Sequence, residues 1–320
     1  PPGNQTQRIG DWVGLRTDAE GFTEAQAAKF ADWFLNNSNH RLLEMFGSND
    51  PLLKVWKRLE EQGTPVETIN RLFDKLATGD ADDLLDFLKN NPQKVDGWKF
   101  LAETYDSDGI NRLWDKDLVD KLDELLQNSN FMSRLADGST DIVEQRSALR
   151  SVLIKNYKAP CKACAAANNS NSHLKDIDGY LEDIRHFVET FYGAAPVQGA
   201  GTMVSLMKNG QKYQIDAIAQ TARYLKERPD LLVDAFEPRL GNVTTEAGDA
   251  VVNNIGDILV DLANNAGKLL IEAKSWKPST LNNIQGVKFF NQFKAYLANI
   301  NVQSTENLIY TFDKRKLLTE

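Results

Sequence analysis

The feature that most constrains this chain is a pair of short apolar runs facing each other across an Asn/Gly turn. Residues 256–262 read Gly-Asp-Ile-Leu-Val-Asp-Leu and residues 268–276 read Lys-Leu-Leu-Ile-Glu-Ala-Lys-Ser-Trp, with Ala263-Asn264-Asn265-Ala266-Gly267 between them. Runs of this length around such a turn form a β-hairpin. Side chains alternate along a strand, so Glu272 and Lys274 share one face and Leu269, Ile271 and Ala273 the other, toward a core. With an even turn centred on Asn265-Ala266, paired positions sum to about 531. Asp257 then faces Lys274 and lies diagonal to Glu272, about 5 to 8 Å away. An odd turn would change that register.

The hairpin sits in a longer alternation. A helical pattern over 215–226 ends at Pro229, strands follow over 232–236, 255–262 and 268–275, a second helical pattern covers 281–298, and a last strand covers 308–312. Helix, three strands, helix, strand makes an α/β sandwich around a mixed central sheet. The first 155 or so residues differ. Apolar residues recur at three- and four-residue spacing, as in Phe30, Trp33, Phe34 or Leu52, Val55, Trp56, Leu59, with turns at Gly47–Pro51, Gly63–Pro65 and Asn90–Pro92. A degenerate repeat aligns Leu42-Leu43, Asn49 and Trp56-Lys57 with Leu84-Leu85, Asn91 and Trp98-Lys99, about 42 residues apart; any helical hairpin with an Asn/Pro turn offers the same match. The expected class is therefore α+β, mainly α-helical at first. The expected domains are 1–158, helical; 159–196, a Cys-x-x-Cys loop and connecting helix; and 197–320, the α/β sandwich.

Charge is divided in the same way. Net charge is −8, which by itself argues against nucleic-acid binding, but residues 1–200 carry 23 basic and 32 acidic side chains, while 201–320 carry 14 and 13. A near-neutral last third can still present a local basic face to phosphates. No apolar run approaches the roughly 20 residues of a membrane-spanning helix. No Ser/His/Asp triad, phosphate-binding Gly loop or dinucleotide fingerprint is present. Two cysteines, Cys161 and Cys164, do not make a secreted disulfide framework. With His173 and His186 they could bind Zn²⁺, they could form a redox pair, or they could be packed thiols.

Two carboxylates and an amine on one strand face suit a hard cation. Acids hold Mg²⁺ through oxygen, the bound ion lowers the pKa of a water, and the amine neutralises developing charge on a phosphate. The alternative is a solvated face with a surface ion pair worth roughly 0–1 kcal/mol. Asp261, nearer the turn, reads as a surface acid.

The order Asp257, hairpin, Glu272-x-Lys274 resembles the motif of the PD-(D/E)xK nucleases, with Gly256 where the family name has Pro. Gln292-x-x-x-Tyr296 on the following helix resembles the accessory motif of the RecB-like branch. The resemblance covers about 110 residues and implies a restriction-endonuclease-like sandwich. It implies Asp257, Glu272 and Lys274 as catalytic, and Asp257, Glu272 and the Ala273 carbonyl as ligands of Mg²⁺ (or Mn²⁺). It implies that Gln292 and Tyr296 support substrate, and that a helix glutamate completes the site; Glu227, Glu237 and Glu246 are the candidates. The phrase Asn90-Asn91-Pro92-x-x-Val95-x-x-Trp98-x-x-Leu101 resembles helical linkers ahead of toxin domains in bacterial polymorphic toxins. That likeness, with a start that is not Met, implies a piece of a larger parent toxin or delivered effector. Such an effector acts on DNA, or RNA, in the target-cell cytoplasm, travels by a delivery apparatus and is countered by a cognate immunity protein. The alternatives are a repair or restriction nuclease and a helical scaffold with an inactive nuclease-like domain. Trp12, Trp33, Trp56, Trp98 and Trp114 fit helix packing, and Trp276 either packs or contacts substrate.

Overall fold

The computed structural model describes residues 11, 14–36, 45–46, 50–76, 82–104, 116–156, 177–209, 212–236, 243–244, 250–251, 258–261, 268–274 and 308–312. These residues fall into two compact units, one up to Asn128 and one from Ser129 onward. The coarse class is α+β, mostly helical with a small sheet.

The first unit contains helices α1 (Glu24–Asn36), α2 (Asp50–Glu61), α3 (Val66–Leu76), α4 (Asp82–Asn90), α5 (Asp96–Thr104) and α6 (Lys116–Gln127). Their starts are written locally. Thr23 and Gln26 cap each other, the Thr23 amide donating to Gln26 Oε1 (3.0 Å) and the Gln26 amide to Thr23 Oγ1 (3.2 Å). The apolar stripes meet in a chain of aromatic rings: Phe22 stacks on Trp56, Trp33 lies 5.9 Å from Trp56 and 5.4 Å from Phe73, and Phe73 meets Trp98 edge-on at 5.8 Å. Trp56 and Trp98, the aligned tryptophans of the repeat, are both buried. They are core residues and offer no face to a nucleobase.

Helices α5 and α6 pack closely at one point. A Cβ on Gly97 would lie 2.1 Å from the Val119 carbonyl oxygen and 2.7 Å from the Asp123 amide nitrogen, so only glycine fits. Asp123 is 1% exposed, and its Oδ1 accepts from the amides of Asp96 (3.1 Å) and Gly97 (3.4 Å). The carboxylate of one helix thus caps the start of another. Burial and the neighbouring Asp96 charge push its carboxyl up to about 6, against the two backbone amides and Lys94.

The second unit begins with α7 (Ser129–Leu135), α8 (Ile142–Asn156), α9 (Ile177–Phe191), α10 (Ala200–Lys208) and α11 (Lys212–Glu227). α9 buries Tyr180, Leu181, Ile184, Phe187 and Val188, the stripe its sequence marks out. It packs on α7 and α11. The border expected between 159–196 and 197–320 lies inside this unit, within the Gly/Ala-rich stretch 193–201. Its glycine has a local task. Gly199 has φ 82°, and a Cβ there would lie 2.0 Å from the Phe236 carbonyl oxygen. The Phe236 amide in turn donates to the Gln198 carbonyl (2.8 Å), tying the start of α10 to the sheet.

The strands are β1 (Leu232–Phe236), β2 (Val243–Thr244), β3 (Ala250–Val251), β4 (Ile258–Asp261), β5 (Lys268–Lys274) and β6 (Leu308–Phe312). Four of them form a sheet in the order β1-β4-β5-β6. β1 and β4 pair antiparallel, as do β4 and β5, and β6 runs parallel to β5. β2 and β3 form a separate two-stranded ladder that the sequence reading did not anticipate. The expected helix over 281–298 lies outside the described residues.

Candidate active site

The hairpin forms in a register two residues away from the expected one. Ile258 pairs with Ile271, Leu259 with Leu270, Val260 with Leu269 and Asp261 with Lys268, so paired positions sum to 529 and not 531. The expected position of Asp257 opposite Lys274 is corrected accordingly. The reason is that pairing continues inward to Asp261 and Lys268, which centres the connection one residue earlier than Asn265-Ala266. A shift of two leaves the face parity intact, because side chains repeat every two residues. The expected separation of faces along β5 therefore stands. Asp257 itself lies outside the described residues.

The two faces of β5 can be told apart. Register links Phe236, through Ile258, to Ile271 and on to Ile309 in one row. Phe236 packs at 4.9 Å from Phe187 and 5.2 Å from Phe191, both on α9. The Ile271 face is thus the apolar one that α9 helps to cover. The next row runs Ala235, Leu259, Leu270, Leu308, and it belongs with Glu272 to the opposite face.

That opposite face is not solvated. Leu270 is fully buried, and Glu272 is only 4% exposed. A surface ion pair is therefore the wrong description of Glu272. A carboxylate this far from water persists only when cations or hydrogen-bond donors compensate its charge. Lys274 ends β5 two positions further on, in register with Phe312, and Ala273 between them is half-buried.

Beside Glu272, in register on β6, stands Tyr310. The sequence reading missed this residue because the strand Leu308–Phe312 carries no motif; only the parallel register brings it to the site. α11, the helix that packs on β5, carries Gln220 and Thr221. Both are buried, and the Gln220 amide and Thr221 hydroxyl have no hydrogen-bond partner among the described residues. Glu227 lies exposed at the end of α11, while Glu237, Glu246, Gln292, Tyr296 and Trp276 lie outside the described residues.

The Glu272 carboxylate is an oxygen donor of the kind hard divalent cations take. Among the described residues no three His, Cys, Asp or Glu side chains come together in a group that could hold a metal. Cys161, Cys164 and His173 lie outside the described residues. His186 is described, half-buried on α9; burial and the nearby Lys226 charge hold its imidazole below its usual range. Among the described residues no helix is long and apolar enough to cross a membrane. No family model matches the chain, and no curated protein and no solved structure matches it either.

Proposed function

We propose that the second unit is a metal-dependent nuclease of the PD-(D/E)xK type that hydrolyses phosphodiester bonds, most readily those of DNA. The observation that carries the reading is Glu272, a carboxylate 4% exposed on an inner strand of the sheet, two residues ahead of Lys274. Two further features support it. A helix leads into a sheet in which β1, β4 and β5 pair antiparallel and β6 pairs parallel to β5, in keeping with the mixed sheet of a restriction-endonuclease-like sandwich. The apolar Ile271 row continues to Phe236, which packs against Phe187 of helix α9, whereas the acid and the lysine of the Glu-x-Lys pair stand on the other face of β5.

In this reading Asp257, Glu272 and the Ala273 carbonyl hold Mg²⁺ or Mn²⁺. The bound ion supplies an acidified water and charge stabilisation at the phosphate. Lys274 orients the attacking water and offsets the charge that develops on the phosphoryl oxygens. Gln292 and Tyr296 approach the substrate. The first unit has a closed aromatic core, consistent with a linking role in a delivered effector. A cognate immunity protein and a delivery apparatus are the partners this proposal carries.

Incubation of the full chain with plasmid DNA and with RNA, in Mg²⁺ or Mn²⁺, tests the reading against Glu272→Ala. Metal-dependent cleavage by the wild type that Glu272→Ala abolishes is the expected result. Equal cleavage by both proteins, or none by the wild type, removes the assignment.

A further inference from the structure

We propose that the first unit holds a docking cleft for an acidic peptide segment of a partner protein, with Arg58 as the residue that takes the partner's carboxylate. The site is independent of the nuclease reading, which concerns the second unit. The cleft belongs to a tandem helical repeat that extends well beyond the aligned tryptophans. Gly21 and Gly63, 42 residues apart, both turn the chain with positive φ, 65° and 64°. Lys57 Nζ donates to the Gly21 carbonyl (2.8 Å), and Lys99 Nζ, at the same offset, donates to the Gln62 carbonyl (3.1 Å). Each lysine also faces a glutamate one turn along its helix, Lys57 to Glu61 at 4.0 Å and Lys99 to Glu103 at 3.8 Å. Glu20 pairs with Lys54, and their counterparts Gln62 and Asp96 are joined by a hydrogen bond. Contacts that recur at one offset, across a turn and along a helix, identify two copies of one motif.

The copies differ at one position. Phe100 in the second copy is fully buried, whereas its counterpart Arg58 in the first is exposed. Lys54, Lys57, Arg58 and Glu61 lie three and four residues apart, on the face of α2 opposite the buried Leu52, Val55, Trp56 and Leu59. With Glu20, Pro92 and Gln93 they line a cleft of about 340 Å³. Its charges are unequal. Glu20 offsets Lys54 and Glu61 offsets Lys57, while Arg58 has no hydrogen-bond or ion-pair partner among the described residues. One guanidinium is left over, a planar fork that matches a carboxylate through two hydrogen bonds. Lys54 and Arg58 remain exposed, so the cleft is open to a passing chain; sites for small molecules enclose most of the ligand. The Lys57 stem and Pro92 offer apolar contact beside the charge. The occupant that fits is an acidic segment with an apolar residue next to its Asp or Glu. A nucleic acid fits less well, because Glu20 and Glu61 would repel its run of phosphates.

The test is fluorescence anisotropy of a fluorescein-labelled peptide of alternating glutamate and leucine, titrated with the full chain at low salt, where exposed charges are least screened. A peptide of alternating glutamine and leucine and a labelled oligothymidine are the comparisons. The expected result is saturable binding of the glutamate peptide, weakened about tenfold in Arg58→Ala. Arg58→Lys keeps the charge and loses the fork, and should weaken binding about threefold. Lys116→Ala removes an exposed cation at the start of α6 and should bind within about twofold of the wild type. The proposal is overturned if the wild type does not bind the glutamate peptide or if Arg58→Ala binds it as tightly. An equal loss in Lys116→Ala also overturns it, since overall charge would then explain the effect. Equal binding of the glutamine peptide removes the carboxylate and the proposal with it. Preference for oligothymidine, lost in Arg58→Ala, would make the cleft a nucleic-acid site instead.

Discussion

Among the described residues the two units each bury one carboxylate almost completely, and they use it differently. Asp123 in the first unit is spent on architecture: its Oδ1 accepts from the Asp96 and Gly97 amides and caps α5 from the neighbouring helix. Glu272 in the second unit lies on strand β5. It stands in mid-strand, in register with Tyr310, two positions before Lys274. Burial depth alone does not separate a structural acid from a candidate catalytic one. The difference lies in what surrounds the acid. Backbone amides at a helix start satisfy Asp123 from within the fold. The Glu272 face mixes apolar residues with the Glu-x-Lys pair and a tyrosine.

The largest test of this contrast is Glu272→Gln. Cleavage should fall on the order of a hundredfold or more, the scale seen when one charge-stabilising group leaves an active site. Thermal unfolding is read beside cleavage, because the isosteric amide keeps the shape of the side chain and removes only its acid. A clear loss of stability without loss of cleavage would make Glu272 structural, like Asp123. Next in size is Gly97→Ala, which forces a Cβ to within 2.1 Å of the Val119 carbonyl oxygen. It should cost about 3 kcal/mol in the first unit. Hydrogen exchange should rise in the peptides of α5 and α6, and cleavage should stay as it was.

Asp123→Asn gives a smaller effect with a definite sign. Asp123 binds its proton more tightly in the fold than in the unfolded chain, from 3.8 up to about 6. Its contribution is therefore fully present below about pH 4 and declines as pH rises through about 6, by up to about 3 kcal/mol. Asn keeps an oxygen for the two amides and carries no charge. The variant should gain about 1–2 kcal/mol at pH 8 and lose this slope, as read by exchange in α5 across pH 4–8. Asp137 in the second unit should show the opposite sign. Burial raises its carboxyl, but Lys208 and Tyr192 together outweigh this and hold it low. Its stabilisation exists above its unfolded pKa and disappears as pH falls through the folded one. Because its side chain is largely exposed, Asp137→Asn should cost only about 0.5 kcal/mol at pH 7. A pH-independent effect in urea titrations would break the comparison.

What could be read from sequence followed from periodicity. The stripe on α9 and the strands 232–236 and 308–312 emerge as expected because each repeats over enough residues to select one period. Glu272 and Lys274 on one side of β5 needed only alternation. Three things needed tertiary information. Hairpin register depends on how far pairing runs into the turn, and it moved by two residues. Tyr310 reaches the Glu272 row through a parallel pairing between segments more than thirty residues apart, which no local pattern encodes. The Asp123 cap joins two helices across the α5–α6 connection, and its local sequence Leu-Asp-Glu reads as an ordinary solvent-facing turn of helix.

The parallel return of β6 also bears on how this protein is assembled. An antiparallel hairpin such as β4-β5 closes through a short loop, whereas β6 must await a long crossover before it can dock. Non-local pairing of this kind slows folding. During that interval β5 would present an unpaired edge of Leu, Ile and Glu, open to pairing with another chain. Nascent or refolding protein should therefore be prone to association until Leu308–Phe312 closes that edge, and the row containing Glu272 and Tyr310 would be completed among the last parts of the molecule.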